Sequence, residues 1–187
     1  MNGYKIVNQN HIHFITPTIV GWLDVFSRKI YRDIILESLA YCRREKGLGI
    51  HAYVIMTNHL HLVVSAKEGF RLSDIIRDFK SYTAKRIIEE MLHNPTESRQ
   101  EWMLRLLKYF AKHNNRNKTH QLWQQHNHPV ELVSKIWIGR KIEYVHDNPV
   151  RASLVRRQED YIHSSASNYL GLQSELEIDV LDMNLLS

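Results

Sequence analysis

Twelve of the 187 residues are histidine, and three pairs share the spacing His-x-His: His11/His13, His59/His61 and His126/His128. Imidazole titrates near neutrality, so it can act as a neutral nitrogen donor to a metal or as an acid or base. Side chains at i and i+2 of a strand point to the same face, so any of these pairs could offer two nitrogens to one ion. In so histidine-rich a chain, one such pair is expected by chance. His59-Leu60-His61 differs in context, because it opens the apolar run Leu60, Leu62, Val63, Val64. Leu60 can enter a core while both imidazoles face the other way, and a strand is rigid enough to hold ligands in place. His126-Asn127-His128 has a polar middle residue and precedes Pro129, which reads as a loop. His11-Ile12-His13 has an apolar middle residue but sits near the amino terminus.

The elements that would position the central pair follow from periodicity. Residues 11–20 (HIHFITPTIV) are β-branched and aromatic and predict a first strand, with Pro17 marking a bulge or an end. Residues 31–45 place Ile34, Ile35, Leu39 and Cys42 on one helical face, and Gly47 and Gly49 stop that helix. Residues 50–56 and 60–65 form two apolar strands broken by Thr57-Asn58. Residues 72–91 read as a second amphipathic helix with Ser73 as N-cap. A third helix is predicted over 97–110, carrying Trp102, Leu106 and Phe110, and a mobile loop over 113–120. Residues 134–147 read as a last helix, ended by Asn148-Pro149. The order β-α-β-β-α predicts an α+β fold, a ferredoxin-like antiparallel sheet with helices packed mainly on one face. One domain over 1–170 and an acidic tail over 171–187 complete the expected organisation.

Composition narrows the partners. The formal charge is +5, yet residues 171–187 hold Glu175, Glu177, Asp179 and Asp182 with no Lys or Arg, which leaves +9 on residues 1–170. A body this basic suits a polyanion. Cys42 is the lone cysteine, Met1 to Gln9 hold no apolar run of signal-peptide length, and no stretch nears 18 apolar residues. The expectation is a soluble, unexported, cytoplasmic protein without membrane contact.

At residues 52–64, AYVIMTNHLHLVV resembles the HUH motif (two His around a hydrophobic residue) of single-tyrosine transposases, and is most similar to the REP-associated tyrosine transposases. The resemblance continues in DFKSYT at 78–83, LWQQ at 122–125, YVHDNPVRASLV at 144–155 and EDYIHSS at 159–165, and covers roughly residues 4–170. Two departures stand out. Thr57 occupies a place where the family often has Pro, and the region 93–121 is longer than in compact members.

The resemblance implies a metal-dependent single-strand DNA transesterase that cuts and rejoins DNA beside hairpin-forming repeats through a 5′-phosphotyrosine link. By family position the nucleophile is Tyr144, and His59, His61 and Asn148 hold a divalent cation, Mg²⁺ or Mn²⁺, with no nucleotide cofactor. Helical spacing puts Arg140, Tyr144 and Asn148 on one face, although from the residues alone Tyr144 reads first as an aromatic that packs its helix on the sheet. Tyr82 is its chief rival among nine tyrosines, with Lys80, Lys85 and Arg86 around it. Arg71, Arg77, Lys80, Lys85, Arg86, Arg140 and Lys141 are candidate phosphate contacts, and Trp102 and Trp123 candidate stacking platforms for unpaired bases. The chain is expected to be a monomer or homodimer. Two alternatives stay open: a hydrolytic nuclease using His59, His61 and His126/His128 without a covalent intermediate, and a hairpin-binding protein that does not cut.

Overall fold

A computed structural model describes residues 5–112 and 119–182. Four strands, β1 (His13–Ile15), β2 (Leu48–Ile55), β3 (Leu60–Ala66) and β4 (Val130–Glu131), form one antiparallel sheet in the order β2-β3-β1-β4. Helices α1 (Lys29–Glu45), α2 (Leu72–His93), α3 (Gln100–Lys112) and α4 (Lys135–Arg151) follow the expected alternation, with a short α5 at Ala166–Tyr169. The fold is therefore the α+β, ferredoxin-like arrangement.

Strand alternation divides the core into two layers. Ile15, Leu60, Leu62 and Val64 face α1 and α2, where Ile35, Leu39, Ile76 and Phe79 complete the larger cluster. Phe14, Ala52, Val54 and Val63 face the other way, onto Ile138, Ile142 and Val145 of α4. A bulge at His51 explains how β2 serves both layers. The register shifts between Ile50 and Ala52, so Leu48 and Ile50 before it and Tyr53 and Ile55 after it all reach the larger cluster. Of the four long helices, α1, α2 and α3 thus lie on one side of the sheet and α4 on the other, with the short α5 beside α4, and His61 belongs to the α4 side.

Several local expectations change. Regular pairing of the first strand stops at Ile15, two residues before Pro17, although Thr18 and Ile19 still bridge His59 and Trp123. The N-cap of α2 is Arg71, not Ser73, and Gln9 supplies the acceptor for the Ser73 amide at 3.0 Å. The third helix buries Met103, Leu107 and Ala111, one position round from the expected stripe, leaving Trp102 and Leu106 exposed. Residues 113–118, most of the expected mobile loop, lie outside the described residues.

Pro149 does not end the last helix. Ser134 caps the start of α4, accepting from the Trp137 amide, and the helix runs through Pro149 to Arg151. Proline disfavours helix in the preceding residue and removes one amide donor, but close to the C-terminus that loss is a single bond. Here Pro149 is buried within the final turn. Asn148 is accordingly a helical residue, not one freed by a helix end.

Residues beyond α5 run back along the outer edge of the sheet. The Asp179 amide donates to Ile50 O at 2.7 Å, its carboxylate accepts from the Ile50 amide at 3.1 Å, and Leu176 and Ile178 are buried. Arg43 pairs with Glu177 at 3.0 Å and with Asp179 at 2.9 Å. No helix among the described residues is long and apolar enough to cross a membrane.

Candidate active site

The β2–β3 hairpin presents the central histidines. Its turn is closed by the Met56 amide donating to His59 O at 2.9 Å. The strand-like continuation of β1 holds it from the side, with the Leu60 amide on Pro17 O and the Ile19 amide on Asn58 O, each 2.9 Å. Leu60 is fully buried beneath, so the flanking imidazoles project to the opposite side.

Each imidazole uses one ring nitrogen on a neighbour. His59 Nδ1 lies 2.6 Å from Asn58 Oδ1, and Asn58 Nδ2 donates to Trp22 O at 3.3 Å. That second bond fixes the amide's orientation, so the oxygen faces His59 and Nδ1 must carry the proton. His61 Nδ1 meets Thr16 Oγ1 at 3.0 Å. The two Nε2 atoms then face one another 3.2 Å apart. Two imidazoles on one ion at about 2.1 Å, with bond angles between right-angled and tetrahedral, have nitrogens roughly 3.0–3.4 Å apart. The pair therefore fits a shared cation without moving. Burial lowers the pKa of both rings, His61 to about 3 with His59 and Lys141 adding to the effect, so both are neutral at pH 7, and His61 offers its Nε2 lone pair in the tautomer whose Nδ1–H is donated to Thr16 Oγ1.

Aromatic packing brings Tyr144 to this pair. Phe14 stacks on His61 with ring centroids 5.2 Å apart and meets Tyr144 edge-on at 5.9 Å. Tyr144 and His61 lie 5.2 Å apart, centroid to centroid. Two cations flank the Tyr144 ring: Lys141 Nζ at 5.0 Å and the Arg151 guanidinium carbon at 5.8 Å, one turn before and two turns after it on α4. Lys141 also covers Phe14, at 4.4 Å. The Tyr144 hydroxyl makes no hydrogen bond among the described residues. Half-buried Asn148 stands one turn beyond Tyr144, and its side-chain amide likewise has no hydrogen-bond partner among them. Among the described residues no three His, Cys, Asp or Glu side chains are grouped to hold a metal. A third protein donor at His59 and His61 would thus have to be of another type, and an amide qualifies.

The other sequence candidates disperse. His11 pairs with Glu131 at 2.6 Å, while buried His13 turns Nδ1 to His11 O at 2.9 Å. His126 lines a groove between α2 and residues 122–129, on the α2 side of the sheet. The α2 cations also lie on that side and are mostly engaged. Arg77 bonds Asp74 and Asp78 at 2.8 and 2.9 Å, Arg71 reaches Asp74 at 3.4 Å, and Lys85 and Arg86 approach Glu89 at 3.9 and 3.7 Å. Lys80 donates to Gln124 O and Asn127 Oδ1, both at 2.7 Å, and its burial lowers its pKa to about 8. Exposed Tyr82 shares the α2 side. Arg140 is exposed, and Lys141 takes the place beside Tyr144 that helical spacing had offered to it. Trp123 is core, its indole donating to Thr83 Oγ1 at 3.0 Å.

Sequence reasoning missed Phe14, Thr16, Asn58, Trp22 and Arg151. Asn58 adjoins the motif and could have been weighed as its tautomer lock. Thr16 and Phe14 join the site only through strand pairing, which no local pattern reveals.

Comparison with known proteins adds two findings. A family model described as "Transposase IS200 like" matches residues 6–125, which include the His59/His61 hairpin and end before α4. A solved structure of a REP-associated tyrosine transposase bound to a REP hairpin superposes with a TM-score of 0.62 at 17% identity, over 97% of this chain and 94% of that one. At that identity the likeness speaks for the fold, α4 included. A second structure, from Deinococcus radiodurans, aligns with 77% of this chain and 96% of its own at 18% identity and a TM-score of 0.41, too distant to carry an argument. No curated protein matches.

Proposed function

This chain belongs to the IS200-like transposase family, and on that premise we propose that it cuts and rejoins single-stranded DNA beside hairpins through a covalent bond to Tyr144. The observation that carries the reading is the meeting of two neutral imidazole nitrogens, 3.2 Å apart, with a phenol ring 5.2 Å from one of their rings. His59 and His61 hold a divalent cation, Mg²⁺ or Mn²⁺, with Asn148 as the third protein donor. Such an ion, when bound, polarises the scissile phosphate and offsets charge built up in the transition state.

The protein supplies the rest. Lys141 and Arg151 stand beside the Tyr144 ring, where they can neutralise a phosphodiester brought to the hydroxyl. Tyr144 Oη attacks phosphorus in line, forming a phosphotyrosine bond to the 5′ side and breaking the bond to the 3′ oxygen. The phenol loses one proton and the departing 3′ oxygen gains one, so the step is proton-neutral. Reversal with a 3′-hydroxyl rejoins DNA and frees the tyrosine, so no nucleotide cofactor is needed. The phenol lies beside an imidazole of its own chain, which suits attack in cis.

Denaturing electrophoresis tests the reading. Protein incubated with single-stranded hairpin DNA should yield a DNA-linked band with Mn²⁺ and none with EDTA, and none at all from His61→Ala. Cut DNA without any linked band would instead support a metal-activated water. Binding without cutting would support the hairpin-holding alternative.

A further inference from the structure

The segment Ile19–Phe26 (IVGWLDVF) is almost wholly apolar, and Ile19, Val20, Leu23, Val25 and Phe26 all enter the core. Trp22, the largest side chain of the run, does not; it is 62% exposed. Its outward placement is built into a backbone that resists it. Gly21 and Trp22 both adopt left-handed conformations, with φ of 62° and 55°. Glycine accepts that region freely, whereas a bulky residue rarely does. Gly21 is also required by space, since a Cβ there would lie 2.8 Å from the Phe110 ring. Strained backbone held by its surroundings gathers at functional sites.

The position of the indole indicates the use. Its ring stands edge-on to His59, centroids 6.1 Å apart, at the solvent margin of the imidazole pair. Its carbonyl oxygen accepts from Asn58 Nδ2, and Asn58 in turn fixes the tautomer of His59. Trp22 is thus tied to the imidazole pair by its backbone and leaves most of its surface open to solvent. Lys141 and Arg151 supply charge on the Tyr144 side. The hairpin side offers an aromatic plane instead.

We propose that Trp22 is the platform on which an unpaired nucleobase next to the scissile phosphate stacks, holding that phosphate against His59 and His61. The inference rests on the proposed function, since it needs single-stranded DNA at this site. Every base has a π face, so such a platform gives grip and register without strict sequence choice. A base seated there would fix the strand on one side of the phosphate, while Lys141 and Arg151 hold the other.

The test measures binding in EDTA, so that cleavage does not intervene. The probes are a mixed-sequence single-stranded 20-mer and an abasic sugar–phosphate 20-mer. Trp22→Asn and Trp22→Gly both accept a left-handed backbone, so each should melt at or above the wild-type temperature. Each should bind the base-bearing strand about 5- to 150-fold more weakly, the range expected for one lost stacking contact. Neither should change affinity for the abasic strand, and Trp22→Tyr should stay within a few-fold of wild type on both. Equal loss on both strands would overturn the proposal, because the indole would then act on the backbone. Wild-type affinity in both variants would overturn it while leaving the proposed function standing. Failure of the wild-type protein to bind either strand would overturn both.

Discussion

His59 and His61 make poor surface histidines and good ligands for the same reason: each has one nitrogen committed and one held toward its partner. The Asn58 contact decides this for His59, because an amide oxygen can only accept and so leaves the Nε2 lone pair pointing inward. Removing such a partner ordinarily costs about 10- to 100-fold in metal affinity. Asn58→Ala should therefore weaken Mn²⁺ binding by that factor in calorimetry while leaving the thermal midpoint nearly unchanged. An affinity equal to wild type would show that the His59 ring is held some other way. The strand under this pair was legible in the sequence, since an apolar middle residue inside an apolar run indicates a strand with one face in the core, and Leu60 is buried there. The pair's orienting partners were not. Thr16 meets His61 across the sheet, from a position 45 residues away.

The role of α4 depends on how firmly it sits on the sheet, and buried His146 is its polar anchor. His146 Nε2 lies 2.8 Å from Ser165 Oγ, which also accepts from the Tyr53 amide of β2 at 2.9 Å. Burial lowers the His146 pKa from 6.5 to about 4. Between those values the unfolded chain takes up a proton that the folded chain refuses, so stability is complete above pH 6.5 and falls as pH drops toward 4. The loss attributable to His146 is on the order of 3 kcal/mol at about 1.4 kcal/mol per pH unit. Urea titrations at a series of pH values should show His146→Gln losing less stability than wild type across that window. Parallel curves would remove His146 from the account. The helix itself was readable from its i, i+3, i+4 apolar spacing, but its end was not. Asn148-Pro149 is a stop signal by local rules, yet the helix runs on to Arg151 with Pro149 buried, an outcome set by burial and not by the local pattern. The third helix was found with the wrong stripe, because Trp102 and Leu106 are as apolar as Met103 and Leu107 and only the neighbouring layer decides which set is buried.

Across the whole molecule, sign and side of charge matter more than the total of +5. Fold class and the two strands of the hairpin followed from periodicity, but which cations share a side with the histidines did not, since α2 and α4 lie on opposite faces. The cations of α2 are tied to Asp74, Asp78, Glu89 or backbone oxygen, whereas Lys141 and Arg151 stand over the Tyr144 ring. Single-strand affinity should fall steeply with salt, and the log–log slope should flatten by about 0.7 for each phosphate contact removed. Lys141→Met with Arg151→Met should flatten it by roughly two contacts, and Arg77→Met hardly at all. The opposite ranking would move the DNA path to the α2 face. One tyrosine of nine is to become bonded to DNA, and mass spectrometry of the proteolysed adduct identifies which. The nucleotide-bearing peptide should contain Tyr144 and disappear in Tyr144→Phe, whose fold and DNA binding should persist because only a hydroxyl is lost. A nucleotide-bearing peptide containing Tyr82 or any other tyrosine, or an adduct that survives Tyr144→Phe, would contradict the proposed role of Tyr144.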